Sequence, residues 1–508
     1  MSHSEQEFPV DRNIPWVRAR TVRAGAAVAA VLGLIPPWSG AAEPVDGDVV
    51  AAIIAEARDR SEAAELFYML TDELGPRLSG SPAYDRAARW AVERFQAWGL
   101  SEPRLEAFEF GRGWTLDALT VEMVAPRYMP LIGYAEAWSP PTSGVLTGTP
   151  VYLGDRSAEE IDALGDRLEG AIVLAARPQV EFLSEDRPQP AGDLESVRTG
   201  NPPFPMPSSA TPRSELFARL DAVGAGVALS PGPTEHGTVR VQGNRNTSPD
   251  GTPSVALAAE QYNMLVRLVE AGLPVELRVG VDARYDEDSL DSYNVFAEIP
   301  GRDPAIGDEI VLVGAHLDSW HTATGATDNA DGVAAVMEAM RILAALDVAP
   351  RRTIRAALWG GEEQGLLGSR AWVERHLADE AARARIAVYL NDDPGTGKTY
   401  GFYMEQSEAA KEIFDAWLEP LRDFGVRRNV IEGIGSTDHV PFVQLGVPAF
   451  TTIKDFRNYD VRTRHTNVDF ADAVDVEDVR QSAIVIAVVA WHAATRDEPI
   501  PRRNGVTR

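Results

Sequence analysis

Apolar positions along the chain change rhythm near residue 286. Beyond that point short apolar runs alternate with stretches of helical spacing. Strands are predicted over 294–299, 310–313, 353–359, 386–390 and 447–451, and helices over 333–346, 366–376 and 408–418. A long final helix is predicted over 476–493, with Ile484, Ala487, Val488 and Trp491 facing a core. Upstream, Ile53, Ile54, Ala57, Ala64, Phe67 and Leu70 mark a helical stretch over 49–70. A second covers 84–98 and is stopped by Gly99; residues 106–110 then alternate like a strand. Between 116 and 284 short β-like segments predominate, with helical stretches at 214–223 and 260–271. A proline-rich run over 187–213 reads as a lid or a disordered loop, because structureless loops of that length are rare in compact domains. The pattern implies an α/β fold with a mixed, mostly parallel sheet flanked by helices and an inserted β-rich domain. The expected division is 1–42 as a leader, 43–115 as the first part of the α/β domain, 116–285 as the insert and 286–508 as the main part.

Length and composition agree with this. A chain of 508 residues exceeds one ordinary core. Its 44% hydrophobic and 24% charged residues are those of a soluble globular protein. A net charge of −28 repels a phosphate backbone, so nucleic acid is excluded as a partner. The absence of cysteine excludes disulfides, thiolate zinc sites and thiol nucleophiles. At the N-terminus Arg18, Arg20 and Arg23 precede an apolar run over 24–35, a Pro36-Pro37-Trp38 break and the small residues Ser39 to Ala42. This is the layout of a secretory signal peptide. The run is too short to span a bilayer as a mature helix. The expectation is a secreted or periplasmic protein with no stable membrane span once the leader is removed. Glu5, Glu7 and Asp11 dilute the charge of a long leading segment, as a start codon set upstream of the true one would.

The chemistry gathers at predicted strand ends. After the 310–313 strand come His316, Asp318, a Gly/Thr-rich loop, then Asp328-Asn329 and Asp331-Gly332. Taken alone this also reads as a solvated loop with a stray histidine. After the 353–359 strand comes Gly360-Gly361-Glu362-Glu363-Gln364-Gly365. Two adjacent carboxylates repel unless a cation or a shared proton compensates. Asn391-Asp392-Asp393-Pro394-Gly395 and Arg464-His465-Thr466-Asn467-Val468-Asp469 complete the series. Two histidines and three carboxylates, His316, Asp328, Glu363, Asp393 and His465, suit two zinc ions sharing a carboxylate and a water.

The stretches GAHLDSW, GATDNADG, GEEQGLLGS, NDDPG and RHTNVD resemble the motifs of the di-zinc exopeptidases that include bacterial secreted aminopeptidases and the glutamate carboxypeptidases. GPRLSGSP at residues 75–82 resembles that family's N-terminal part, and the insert resembles a protease-associated domain in position. The likeness runs from about Ala51 to Ala494. It implies the zinc exopeptidase fold, with His316 and His465 each on one zinc and Asp328 bridging them. Glu363 and Asp393 would complete the two sets, Glu362 would be the general base, and Asp318 would orient the His316 imidazole. Arg464 departs from the family, where a histidine is common, and Asp392 and Pro394 are uncommon neighbours for the third-motif ligand.

The resemblance implies zinc-dependent hydrolysis of small peptides, of aminopeptidase or dipeptidase type, with a carboxypeptidase as the alternative. A single-zinc acyltransferase of the glutaminyl cyclase type and an inactive binding ectodomain are weaker readings, since no ligand is missing. Asp438 matches an acidic position near the family's substrate pocket, and His439 and His321 are candidate substrate contacts. Trp320 and Tyr459 read equally as pocket lining or as core packing, and Arg77 as a structural tie between the N-terminal helices and the sheet. Other divalent metals could replace zinc, and the insert would be a lid or a homodimer contact.

Overall fold

The strands that carry the motifs belong to one twisted sheet. The computed structural model describes residues 43–188, 202–393, 395–427 and 429–502. The expected leader, the centre of the proline-rich run and Pro394 lie outside the described residues. The sheet is built from β1 (Ser101–Glu109), β2 (Asp291–Ile299), β3 (Ile310–His316), β4 (Thr353–Trp359), β5 (Ile386–Asn391), β6 (Thr396–Tyr403) and β7 (Ala449–Asp455). Their spatial order is β1-β2-β4-β3-β5-β7-β6. β4, β3, β5 and β7 are mutually parallel, whereas the β1–β2, β2–β4 and β7–β6 pairings are antiparallel. The expected mixed, mostly parallel sheet is therefore present. β6 was not anticipated: Gly397 and Gly401 interrupt its apolar pattern, and it lies at the sheet edge.

The parallel strands are buried on both faces, which is why they read as continuous apolar runs. Val311, Val313 and Ala315 of β3 face one core with Met337, Met340 and Ile486. Ile310 and Leu312 face the other with Trp359, Trp372 and Phe442. The first core holds the helices Asp331–Ala345 and Val476–Thr495, the latter apolar almost all round because it is enclosed. The predicted 49–70 helix is broken into Gly47–Asp59 and Ala63–Tyr68. At the break the N–H of Glu62 donates to Glu338, whose carboxylate also pairs with Arg341 at 2.7 Å. Arg341 pairs with Glu56 at 2.9 Å as well, so one buried guanidinium joins both sides of the break to the central helix.

After β3 the chain adds β4 on one side, then returns to add β5 on the other. That reversal opens a crevice at the carboxyl end of β3, where open α/β sheets bind their ligands. Between β1 and β2 the chain leaves this sheet. Gly113–Ala125 and Glu276–Asp286 pair as a long antiparallel ribbon within a four-stranded sheet. Beyond it Gly133–Ala135, Ser254–Leu257, Val227–Pro231, Ile172–Leu174 and Val151–Tyr152 form a five-stranded sheet, parallel except at the first pairing. Helix Arg213–Val223 connects two of these parallel strands, and helix Ala259–Glu270 leads from the five-stranded sheet back to the ribbon, so the segment is more helical in build than its short β-like runs implied.

Arg77 is the tie between the N-terminal helices and the sheet. It is fully buried, and its guanidinium donates to the carbonyls of Leu70, Gly75, Leu317, Thr324 and Gly325. Burial pulls its pKa down to about 10, which still leaves it charged at neutral pH. Gly325 is held at φ +60, and a Cβ there would meet the Ser319 side chain at 2.3 Å. Arg77→Met would strip donors from several buried carbonyls at once. The expected loss is about 3 kcal/mol or more, read by urea denaturation; an unchanged midpoint would contradict this bracing role.

Candidate metal centre

Acidic and imidazole groups reach the crevice from the ends of three parallel strands and from two loops. His316 ends β3, and Asp392-Asp393 follow β5. Glu362 and Glu363 occupy the turn after β4, where Gly361 adopts φ +67 and its N–H donates to Ser79 Oγ at 2.8 Å. Asp328 lies in the loop between β3 and helix Asp331–Ala345, with a cis peptide to Asn329. That helix starts close against the β5 end: a Cβ at Gly332 would meet the Asp392 carbonyl oxygen at 2.5 Å. His465 follows β7 on a loop and takes a left-handed φ of +59.

The side chains converge on Asp328. Its Oδ1 lies 3.2 Å from His316 Nε2 and its Oδ2 lies 3.1 Å from His465 Nε2. Asp393 Oδ1 is 3.7 Å from His316 Nε2, and Glu363 Oε2 is 3.0 Å from His465 Nε2. Two ligand groups result, His316–Asp328–Asp393 and Asp328–Glu363–His465, each with its donor atoms within 4.8 Å of one another. Every one of these side chains is buried.

The surroundings prepare the donors. The Asp318 carbonyl oxygen lies 3.0 Å from His316 Nδ1, which as an N–H donor leaves Nε2 directed at the cage. The expected orienting contact through the Asp318 carboxylate is the longer one, 3.6 Å. That carboxylate instead accepts the backbone N–H groups of Glu362 and Glu363, both at 3.2 Å, and so shapes their turn. Trp320 Nε1 donates to Glu363 Oε2 at 2.8 Å.

The charge balance tests whether cations fit. Burial pushes the Glu362 carboxyl well above its usual range, and repulsion from Asp393, Asp438 and Glu363 adds to this against the pull of His316. Burial and the Asp328 charge raise Glu363 as well. Burial opposes charge on His316, yet Glu362 and Asp393 hold its pKa well above the ordinary value. His316 Nε2 and Glu363 Oε1 are buried without a hydrogen-bond partner. A cage that attracts protons, contains no thiol and leaves inward-facing donor atoms unsatisfied fits hard or borderline divalent cations.

The family model for peptidase family M28 matches residues 294–490, which hold all five of these donors. Over residues 294–490 the chain is therefore similar to peptidase family M28. The whole chain is 27% identical to carboxypeptidase Q from Bos taurus over 465 residues, covering 90% of this chain and 91% of that one. Its fold is similar to that of a peptidase M28 precursor from Shewanella amazonensis SB2B, with a TM-score of 0.66, 24% identity and coverage of 90% and 99% of the two chains. It is also similar to the structure of a zinc aminopeptidase from Bacillus subtilis, with a TM-score of 0.57, 20% identity and coverage of 87% and 96%. The chain is a hydrolase acting on peptide bonds.

Other side chains around the candidate metal centre sit as follows. Asp438 is fully buried and accepts from Ser369 Oγ at 2.5 Å; burial pushes its pKa up to about 8. His439 is also fully buried, with Nε2 3.1 Å from Glu405 Oε1. His321 Nε2 lies 2.9 Å from the Ala135 carbonyl, and its ring packs edge-on against Trp114. Burial pulls its pKa down to about 4, so it is neutral. Each of these histidines engages a protein partner through Nε2, and the Nδ1 of each is buried without a hydrogen-bond partner.

Two supports were not foreseen. Arg240 Nη2 and Gln242 Nε2, from the inserted segment, lie 3.0 and 3.2 Å from His465 Nδ1. Next to them Val241 N–H donates to the His465 carbonyl at 3.1 Å and Asn467 N–H to the Val239 carbonyl at 3.3 Å. Insert residues therefore hold the loop of one metal-binding group. The second support is Lys454 of β7, buried, with Nζ 2.9 Å from Asp331 and 3.2 Å from Asp392. Burial works against its charge, yet Asp331 and Asp392 hold its pKa above the ordinary value. It joins the helix after Asp328 to the residue before Asp393. Only a lone lysine in a buried strand could have signalled it.

Two outcomes are expected. Lys454→Met should lower stability by about 3–5 kcal/mol and reduce zinc retained after dialysis, since two buried carboxylates lose their cation. Unchanged zinc content and denaturation midpoint would refute the clamp. Zinc binding at neutral pH should release protons, because Glu362, Glu363 and His316 have raised pKa values in the empty cage. Apparent affinity should therefore fall as pH falls. Calorimetry in buffers of different ionisation enthalpy reads the release, and none at all would contradict the electrostatics.

Proposed function

We propose that the chain is an exported exopeptidase that removes one residue at a time from small peptides, using two zinc ions, with aminopeptidase or dipeptidase action favoured. The observation that carries this reading is Asp328, one carboxylate whose two oxygens face two different histidines, with Glu362 beside them. His316, Asp328 and Asp393 would hold one ion; Asp328, Glu363 and His465 the other. Zinc bound there supplies a Lewis acid for the scissile carbonyl and lowers the pKa of a water so that it can attack at neutral pH.

The protein groups do the rest. Glu362 takes a proton from the attacking water and returns it to the leaving nitrogen. The Asp318 carboxylate fixes the backbone of Glu362, so the base keeps one position through both transfers. Trp320 donates to Glu363 and holds its carboxylate toward His465. The signal-peptide-like sequence pattern over 1–42 supports export, and among the described residues no helix is long and apolar enough to cross a membrane.

Glu362→Gln should retain zinc but lose about 100- to 10,000-fold in kcat. Substantial turnover by that variant with full metal would remove Glu362 from the role. His465→Ala should lower zinc stoichiometry; an unchanged two ions per chain would discard the assignment. The function itself is tested with free dipeptides, N-blocked dipeptides and aminoacyl amides, each with and without chelator. Chelator-sensitive cleavage of the first or third class is expected, and cleavage of N-blocked dipeptides alone would make the enzyme a carboxypeptidase.

A further inference from the structure

The two imidazoles of the cage are backed by opposite chemistry. His316 Nδ1 lies 3.0 Å from the Asp318 carbonyl oxygen, which can only accept. His465 Nδ1 lies 3.0 Å from Arg240 Nη2, which can only donate, and 3.2 Å from Gln242 Nε2. A ring nitrogen that accepts from a guanidinium carries no proton. In this arrangement the His465 ring proton therefore sits on Nε2. That nitrogen faces two acceptors, Glu363 Oε2 at 3.0 Å and Asp328 Oδ2 at 3.1 Å, so the polar contacts on both sides of the ring agree on the tautomer. It puts the proton on the nitrogen that has to ligate a metal.

When Nε2 of a histidine ligates zinc, the ring keeps its proton on Nδ1 and gives it to a carboxylate, a carbonyl or water. At His316 the Asp318 carbonyl stands ready for it. At His465 the proton would meet an N–H of Arg240, and the guanidinium adds a positive charge one hydrogen bond from a metal ligand. Gln242 can supply the missing acceptor, because it is exposed and its amide can turn its oxygen to Nδ1. Arg240 has no acceptor to offer and has to withdraw. A cavity of about 320 Å³ adjoins it, lined by Arg240, Val241, Gln242, Met206, Pro207 and Asn244. The loop does not depend on either side chain, since Val241 N–H still meets the His465 carbonyl and Asn467 N–H the Val239 carbonyl. We propose that Arg240 is a positioning residue that makes the His465 group the weaker and later-filled of the two metal-binding groups: it leaves Nδ1 for the adjoining cavity, and Gln242 takes its place, when His465 ligates zinc. The proposal rests on the two-zinc reading and gives the insert control over the second ion.

The test titrates zinc by calorimetry into chelator-treated wild type, Arg240→Met, Arg240→Lys, Gln242→Glu and His465→Ala. Wild type should bind in two steps, and His465→Ala should lose the weaker one. Arg240→Met should tighten the weaker step roughly 10- to 100-fold and leave the tighter one unchanged. Gln242→Glu should tighten it as well, because it brings a permanent acceptor to Nδ1; Arg240→Lys should not, because it keeps a charged donor. An arginine that only braced the loop would give the opposite sign, so a second step weakened or unmoved in Arg240→Met overturns the proposal. NMR of isotope-labelled histidine in the chelator-treated wild type gives a readout without zinc, with the His465 signal assigned by its loss in His465→Ala. A ring proton on Nε2 is expected, and one on Nδ1 overturns the proposal. If neither wild type nor Arg240→Met takes a second ion, the two-zinc reading itself fails. Two ions with a second step that ignores Arg240 leave that reading standing and reject the role of the arginine.

Discussion

Asp328 stands between two imidazoles, one on each carboxylate oxygen, and the rest of the site is arranged to make that tolerable. Asp318, Glu362, Glu363 and Asp393 share the crevice with it, all within a small volume away from bulk water. Several negative charges so placed are stable only if protons or cations neutralise them. The structure keeps its fixed cations one layer back. Arg77 lies under the Asp328 loop with only carbonyls as partners, and Lys454 lies behind Asp331 and Asp392. Neither fills the space between the imidazoles. The positive charge that completes the cage has to be exchangeable, which is the condition for a metal site.

The two halves of the cage are built differently. His316 and Asp393 stand at the ends of adjacent parallel strands, so the hydrogen-bonded register of β3 and β5 sets their separation. Glu363 follows β4 on the other side of β3. His465 has no such frame. It sits in a left-handed conformation on a loop, and the contacts that fix it come from far along the chain. Val241 accompanies the His465 backbone, Arg240 and Gln242 reach its ring, and Arg187 anchors Asp460 upstream. A backbone in a sparsely populated region persists only where its surroundings over-determine it. The inserted segment provides that here.

Much of this was legible because parallel strands bury both faces. Their apolar runs, such as Ile310 to Val313, are unmistakable, and the polar residue that ends each run stands out. The five candidate metal donors were found in that way and by their resemblance to a family. What was not legible depends on pairing across distance. No local pattern joins Arg240 to His465, or Lys454 to Asp331, because each contact closes a long loop that periodicity cannot report. β6 was missed because an edge strand needs less apolar surface, and its glycines hide the rest. The proline-rich run was read as a lid or as disordered, yet its described ends are tied down. Arg187 pairs with Asp460 at 2.7 Å, and Phe204 lies under the Arg240 guanidinium.

That anchoring explains why the insert lies between β1 and β2 and still belongs to the chemistry. The sheet places His316, Glu363 and Asp393 at the ends of its own strands, and Asp328 in the loop that follows one of them. It cannot by itself hold the loop after β7, which leaves the sheet beyond Asp455 and turns back at Tyr459 before reaching His465. The inserted segment meets that loop along its length, through Asp186 and Arg187 at its start and through Val239 to Gln242 at its end. The region that completes the metal cage is therefore one loop, held from behind by the insert. A change in the insert can therefore displace His465 while the donors on the sheet stay as they are.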